Sequence, residues 1–490
     1  MALALRPAAG AGIGATSNPA SATAPAGQVF QASGLPIDGG LLSPASQALF
    51  RTYVIAGVTP ADFGRPYQDN EYWGLVGEVN VETPIGDLTL LPSYREAALN
   101  FSTNGPAFRA LLTDQHDEQK SFEARLDGRR VGIFNWLVGA YYFNEKVNGR
   151  VSINQFSPLV FQDFRSRTES NAVFGRLTAN ISDTFRLVAG ARYTEDQKKF
   201  SVNALNVIQI CTAGPPNFCT VGGSTFPNVL TPGALTFPLP ALPGPPNSVQ
   251  FGGNPASRIF TAPLVFSSSP KFDNTSYRLA AEWDVAATSL LYASYETGFR
   301  SGGFNVSFGR ESYKPETIKA FTIGSKNRFL DNRLQLNAEA FHWKYEDQQV
   351  AHFGADLRGN NSFFTENIGA STIQGLDVEG QFKPIEGTLL SFSAQYLNSK
   401  VDKFTFRQLR TVGVSAVTGC AATAVQDRDV NGDAALDPEF SINCSGKQGY
   451  NSPEWSFDLG VEQTVPLGSS FDLVVAADAR YRGDRVVGFD

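Results

Sequence analysis

The feature that most constrains this chain is a side-chain alternation with a period of two. Phe185, Leu187, Ala189, Ala191 and Tyr193 form one set, with Arg186, Val188, Gly190 and Arg192 between them. A β-strand sends successive side chains to opposite faces, so such a segment has one apolar and one mostly polar face. The pattern recurs at Leu279, Ala281, Trp283 and Val285 against Arg278, Glu282 and Asp284, and at Leu334, Leu336, Ala338 and Ala340 against Gln335, Asn337 and Glu339. It appears again at Leu376, Val378 and Phe382 against Asp377, Glu379 and Gln381, at Phe457, Leu459 and Val461, and at Phe471–Tyr481. About fourteen such segments are readable, starting near 74, 86, 119, 131, 168, 185, 275, 289, 316, 333, 374, 387, 454 and 470. Each is close to the ~10 residues with which a tilted barrel strand crosses a bilayer.

The connections carry a second signal, because they alternate between short and long. The short ones are Thr83-Pro84-Ile85, Gly128-Arg129-Arg130, Ser182-Asp183-Thr184, Ala286-Ala287-Thr288, Asp331-Asn332, Pro384-Ile385-Glu386 and Pro466-Leu467-Gly468. Between them the sequence predicts long loops near 98–118, 147–167, 200–274, 299–315, 350–373 and 399–453. Short turns at one end and long loops at the other belong to an outer-membrane barrel. A soluble antiparallel sheet with one wet face shows the same alternation but has no reason to sort its loops by length. The expected fold is therefore all-β: an antiparallel transmembrane β-barrel with short periplasmic turns and long extracellular loops. Apolar residues face lipid and polar ones such as Arg186, Glu339, Asp377 and Asp478 face the lumen. Tyr142, Tyr193, Trp283 and Tyr481 stand at strand ends, where interfacial aromatic girdles belong.

Composition agrees. Glycine (46) and phenylalanine (38) are abundant, while methionine (1) and histidine (3) are scarce. The net charge of −7, from 47 acidic and 40 basic residues, argues against a nucleic-acid partner. Mean hydropathy is −0.16, and no apolar run of about 18 residues suggests a membrane helix. Residues 1–70 are expected to be an irregular N-terminal segment; Met1–Gly40 is rich in Ala, Gly, Pro and Ser and does not have the form of a signal peptide. Within the 200–274 loop, Ser201–Ser257 holds no charged residue and is dense in proline (Pro238, Pro240, Pro243, Pro245, Pro246), which indicates irregular loop.

Several phrases resemble the TonB-dependent receptor family: Tyr292–Asn305 (YASYETGFRSGGFN), Tyr313–Thr317 (YKPET), Phe341–Val350 (FHWKYEDQQV), Asn367-Ile-Gly-Ala, Gly375–Gly380 (GLDVEG), Asn451–Trp455 (NSPEW) and, upstream, Phe185–Lys199 (FRLVAGARYTEDQKK). The resemblance spans roughly residues 70–490. It implies a barrel of about 22 strands around an N-terminal plug. The plug contacts the TonB complex, and the energised assembly imports a small-molecule nutrient such as a ferric siderophore across the outer membrane. No plug-like segment precedes residue 70 and no aromatic-ended last strand is read before Asp490, so residues 71–490 are expected to be a partial barrel. Such a piece is expected neither to close nor to transport by itself. The partners implied are outer-membrane lipid, TonB only through a plug, and the nutrient. The alternative is a secreted or surface β-rich binding or adhesion protein; a secreted hydrolase is a third reading.

Few residues suggest chemistry. There is no nucleophile elbow or catalytic triad, so no enzyme and no resident cofactor are expected, and Gly10-Ala-Gly-Ile-Gly14 is a poor dinucleotide fingerprint. Arg300, among Gly298, Gly302 and Gly303, is the candidate ligand contact, set against a glycine bend with a charge above the membrane. Asp427, Asp429, Asn431 and Asp433 around Gly432 have calcium-loop spacing, but position twelve is Pro438, so a solvated acidic turn is the competing reading. Cys211 with Cys219 and Cys420 with Cys444 form two local disulfide candidates on the oxidising side. His342 and His352 could meet at the outer rim around haem or a metal, or serve there as polar residues; His116 is remote from both.

Overall fold

The computed structural model describes residues 66–105, 108–154, 158–211, 247–250, 257–357, 361–409, 418–427, 436, 438–468 and 470–486. β1 (Tyr67–Val76) and β2 (Val79–Thr83) are two parts of a first strand, since both pair with β3 (Gly86–Gly105). An antiparallel meander follows through β4 (Phe108–Val131), β5 (Phe134–Asn154), β6 (Pro158–Asn180) and β7 (Phe185–Cys211). The outer half of β7 pairs with β9 (Ser257–Ser268), which also carries β8 (Val249–Gln250); its inner half pairs with β10 (Lys271–Ala286). Next come β11 (Ser289–Arg300), the small hairpin β12 (Gly303–Phe304) with β13 (Ser312–Tyr313), β14 (Glu316–Phe329), β15 (Leu334–Ala355), β16 (Asn361–Phe382) and β17 (Thr388–Leu409). β18 (Ala421–Val425) and β19 (Glu439–Asn443) extend the outer end of β17, while β20 (Trp455–Pro466) pairs with its inner end and β21 (Asp472–Arg482) pairs with β20. Taking β1 with β2 and β9 with β10 as single runs, the meander has fourteen long strands among the described residues. They follow the alternating segments of the sequence in order.

The burial pattern is the inverse of a soluble protein's. Large apolar residues of the alternating set face outward: Val173 is 59% exposed, Leu279 55%, Ile323 53% and Leu459 61%. Their polar neighbours turn inward and pair. Arg186 donates to Asp284 and Glu282, Tyr292 Oη donates to Glu339 at 2.5 Å, and Asn337 donates to Glu379 at 3.0 Å. A row of exposed leucines and valines over a paired polar interior is stable only where the outer medium is hydrocarbon. No helix long and apolar enough to span a membrane occurs among the described residues, which is silent on strands.

Two expectations are corrected. The turn expected at Gly128–Arg130 lies further on, at Gly132 and Ile133, with Gly132 at φ 58°. Gly128 instead lies beneath the Trp136 indole, whose Nε1 donates to the Arg129 carbonyl at 3.1 Å; a Cβ at 128 would overlap the ring. The stretches expected as loops near 98–118, 147–167 and 350–373 are mostly strand. β4 has 24 residues and β7 has 27, more than twice the ~10 needed to cross the apolar layer. Their outer halves rise above the membrane: that of β4 is polar on both faces through Asp114–Lys120, whereas that of β7 keeps an apolar inner face at Phe200, Val202 and Ala204. At the other end the reversals stay short, with Leu330, Asp331 and Asn332 at φ 55°, 54° and 65° making one tight turn closed by Arg333 N–H to the Leu330 carbonyl.

The lipid-facing assignment is testable. Leu279→Arg places a cation near mid-layer and is expected to cost about 2–4 kcal/mol, whereas Gln381→Arg on the inner face is expected to be close to neutral. Urea titration in lipid vesicles, followed by gel mobility of the folded form, measures both; equal effects would contradict the assignment.

Candidate ligand vestibule

At the outer end of the meander the chain between β11 and β14 folds inward. Phe200, Val202 and Ala204 continue the inner face of β7, and Leu264 and Phe266 lie beside them on β9. Val306 and Phe308 pack on this cluster, and the Phe304 ring stacks on Phe200 with centroids 5.0 Å apart. Polar contacts hold the segment elsewhere. Lys198 Nζ donates to the Gly302 carbonyl at 2.8 Å, and Asn305 Nδ2 donates to the Arg310 and Thr365 carbonyls at 2.7 and 2.9 Å. Arg310 pairs with Glu366 at 2.5 Å and lies over the Phe364 ring. Asn367 accepts from the Lys314 N–H at 2.6 Å and donates to the Lys314 and Asp347 carbonyls. Gln349 Nε2 donates to the Ser301 and Lys314 carbonyls at 3.1 and 3.0 Å. A short loop carrying few backbone pairs of its own is thus fixed by amides from β15 and β16, which take up carbonyls that no ladder satisfies.

The glycines of Tyr292–Asn305 serve this inward turn. A Cβ on Gly302 would meet the Tyr313 carbonyl and come within 2.8 Å of Phe272, and one on Gly303 would overlap the Tyr313 ring. Arg300 is exposed at the base of the loop. Lys198, beyond the aromatic level of Tyr193 and so outside the spanning part of β7, has its pKa lowered below the usual lysine value, first by burial and further by the Arg300 charge. Asp196 and Glu145 act in the opposite direction. Two cations that repel each other at the root of an aromatic-lined mouth make a surface that gains by meeting an anion. Deeper in the lumen a cleft of about 600 Å³ is lined by Asn337, Glu379, Ser393, Asp458 and Arg480.

The other candidates separate. Cys420 and Cys444 are joined by a disulfide, with Cα atoms 4.8 Å apart, inside a cluster of Val401, Phe404, Phe406 and Ile442. Cys219 and the Cys211 side chain lie outside the described residues. Of the four calcium-ligand candidates only Asp427 is described, and its carboxylate accepts from Arg407 at 3.2 and 3.0 Å; Asp429, Asn431 and Asp433 lie outside. His342 and His352 do not converge. His342 is exposed beside Gln374, while His352 is buried among Phe364, Phe404 and Phe406 with Nε2 3.2 Å from Glu366. Among the described residues no group of three or more His, Cys, Asp or Glu could hold a metal. Asn305, Gln349, Glu366 and Asn367 went unrecognised as a set, although three of them sit inside phrases quoted above: their roles depend on strands far apart in sequence.

The comparisons with known proteins match this geometry. The family model for the TonB dependent receptor-like β-barrel matches residues 19–489. The chain belongs to the TonB-dependent receptor β-barrel family. The metal-pseudopaline receptor CntO of Pseudomonas aeruginosa is 24% identical over 187 residues, covering 37% of this chain and 25% of that receptor. The ferric yersiniabactin uptake receptor FyuA of Yersinia pestis superimposes with a TM-score of 0.57 at 12% identity, over 84% of this chain and 49% of that one. The siderophore receptor PiuA of Acinetobacter baumannii gives 0.53 at 15% identity, over 85% and 55%. The chain thus spans about half the length of these solved structures, and at such identity they share its fold.

The loop anchor yields a prediction. Asn367→Ala removes three hydrogen bonds to the inward segment, from the Lys314 N–H and to the Lys314 and Pro315 carbonyls, and at about 1 kcal/mol net for each bond the segment should open at least tenfold more often. Limited trypsin digestion in outer-membrane vesicles should then cut after Arg310 correspondingly faster; an unchanged rate would show that the apolar cluster alone holds the loop.

Proposed function

We propose that this chain forms the wall of an outer-membrane receptor for active uptake of a chelated metal, with a siderophore-bound ion as the foremost candidate. Uptake would be energised by TonB acting through a plug region rather than through these strands. The observation that carries the reading is the mouth. The inward segment between β11 and β14 packs on the inner face of β7 and β9, and Lys198 and Arg300 stand at its root near Phe200, Phe266 and Phe304. Many metal chelates are anionic and partly aromatic, and such a surface attracts both properties. That the family members named above are receptors for metal–chelate complexes favours the same class. No catalytic role is proposed, and the charged interior is accounted for by a hydrated or plugged lumen.

Deleting the gene in its own host should reduce uptake of radiolabelled iron supplied on one chelator class among catecholate, hydroxamate and carboxylate. Restoring it with Lys198→Met and Arg300→Ala together should raise the half-saturating concentration about tenfold, the loss of one or two charge-assisted contacts. Unchanged uptake for every chelator, with reduced surface attachment instead, would favour an adhesive β protein.

A further inference from the structure

The inner wall of the outer hairpins carries one charge that the uptake reading leaves unused. Cross-strand register places Arg95, Gln119, Glu145, Thr168 and Lys198 in a single row, each directly opposite the next on β3, β4, β5, β6 and β7. Directly opposite residues share a face, and Lys198 belongs to the inner set of β7 with Arg186 and Phe200, so the whole row faces the lumen. Charge alternates along it, with a cation at each end, a carboxylate at the centre and a neutral residue between. Two strand spacings, roughly 10 Å, separate the Glu145 backbone from that of Lys198, and two long side chains span that distance over a short threonine. The Lys198 ammonium donates to the Gly302 carbonyl at 2.8 Å. Glu145 is half-buried, and its carboxylate has neither a hydrogen bond nor an ion pair among the described residues. It lines a lumen-side cleft of about 560 Å³ together with Tyr72, Gly74, Arg95, Asp117 and Gln119.

The charged groups that act on Glu145 are Asp117 on β4 and Lys198 on β7. Those that act on Lys198 are Asp196 on its own strand, Arg300 at the start of the inward segment, and Glu145. Arg95 closes the row on β3. Asp117 has a donor of its own, since Gln115 Nε2 reaches both its oxygens at 2.8 and 3.0 Å, whereas Glu145 has none. Burial first, and Asp117 next, raise the pKa of Glu145 above the usual carboxylate value, while Lys198 acts in the opposite direction. We propose that Glu145 is the internal counter-ion of the mouth and sets its charge selectivity: while ionised it offsets Lys198 and competes with an arriving anion, and once protonated it leaves Lys198 and Arg300 to hold that anion. Protonation removes one negative charge from the row. Anion affinity is therefore highest below the pKa of Glu145 and falls as pH rises through it, and the raised value moves that fall toward neutral pH. This inference rests on the reading of the mouth as an anion site.

The test uses the full chain in phosphatidylcholine nanodiscs at one fixed ionic strength. The probe is pyrenetetrasulfonate, an aromatic anion whose charge is constant over the range, and fluorescence anisotropy reads its binding. The parent is expected to bind about fivefold more tightly near pH ~5 than near pH ~7.5, the scale of one unit charge removed close by in wet surroundings. Glu145→Gln, which keeps the size and polarity of the side chain, should bind about fivefold more tightly than the parent at the upper pH and lose most of the dependence. Glu169→Gln, on the outward face of β6 beside Arg167, should stay within about twofold of the parent. Equal affinity of parent and Glu145→Gln at the upper pH overturns the proposal. So does a flat profile of the parent, a measurement that stands even if the substitution prevents insertion. Lys198→Met/Arg300→Ala separates the two readings. If that variant binds as tightly as the parent, or the parent binds no probe, the mouth is not an anion site and the proposal falls with it. If that variant loses binding while Glu145→Gln changes nothing, the counter-ion alone is wrong.

Discussion

Backbone hydrogen bonding in a medium without water is the constraint on which the rest of this structure depends. Inside hydrocarbon every N–H and C=O needs a partner within the protein, and a meander of long antiparallel strands supplies one along each shared ladder. Everything else follows from that ladder. Because strand side chains alternate, one face of the sheet must be apolar and the other is free to be polar. Because the apolar face looks at lipid, Val173, Leu279 and Leu459 are exposed without penalty, while Arg186, Asp284 and Glu339 pair on the inner side.

Above the aromatic level the physics changes and so does the architecture. Both faces of each strand can be wet, so the ladders run on as tall hairpins that no longer need apolar residues outside. Cohesion there comes from local devices. One apolar cluster is sealed by the Cys420–Cys444 disulfide, and another by Phe304, Val306 and Phe308 packing on the inner face of β7 and β9. Asn367 and Gln349 cap the carbonyls of a segment that has little ladder of its own. The same segment folds onto the inner face at the outer rim, so one element both covers an apolar cluster and meets Lys198.

Much of the fold was legible because the spanning part obeys a local rule. The fourteen alternating segments and the seven short turns correspond to the meander, and the single displaced turn reflects a glycine that seats Trp136 instead of reversing the chain. The outer half was illegible for a reason of the same kind: a strand wet on both faces, such as the stretch through Asp114–Lys120, has no hydrophobic period to detect. The vestibule was only partly legible. Arg300 stood out through its glycine neighbours, but Lys198 has meaning only because Gly302 comes back to it across more than a hundred residues of sequence.

The sequence by itself determined the class of fold, the number and order of the spanning strands and the sorting of their connections. All of these follow from period-two patterning and turn chemistry within a few residues of one another. Only the tertiary structure decided that the long connections stand up as hairpins and that the segment after Arg300 turns inward, because both depend on contacts between strands far apart in sequence. Cross-strand register, which places Arg95, Glu145 and Lys198 in one row, is a relation between segments that no single segment encodes.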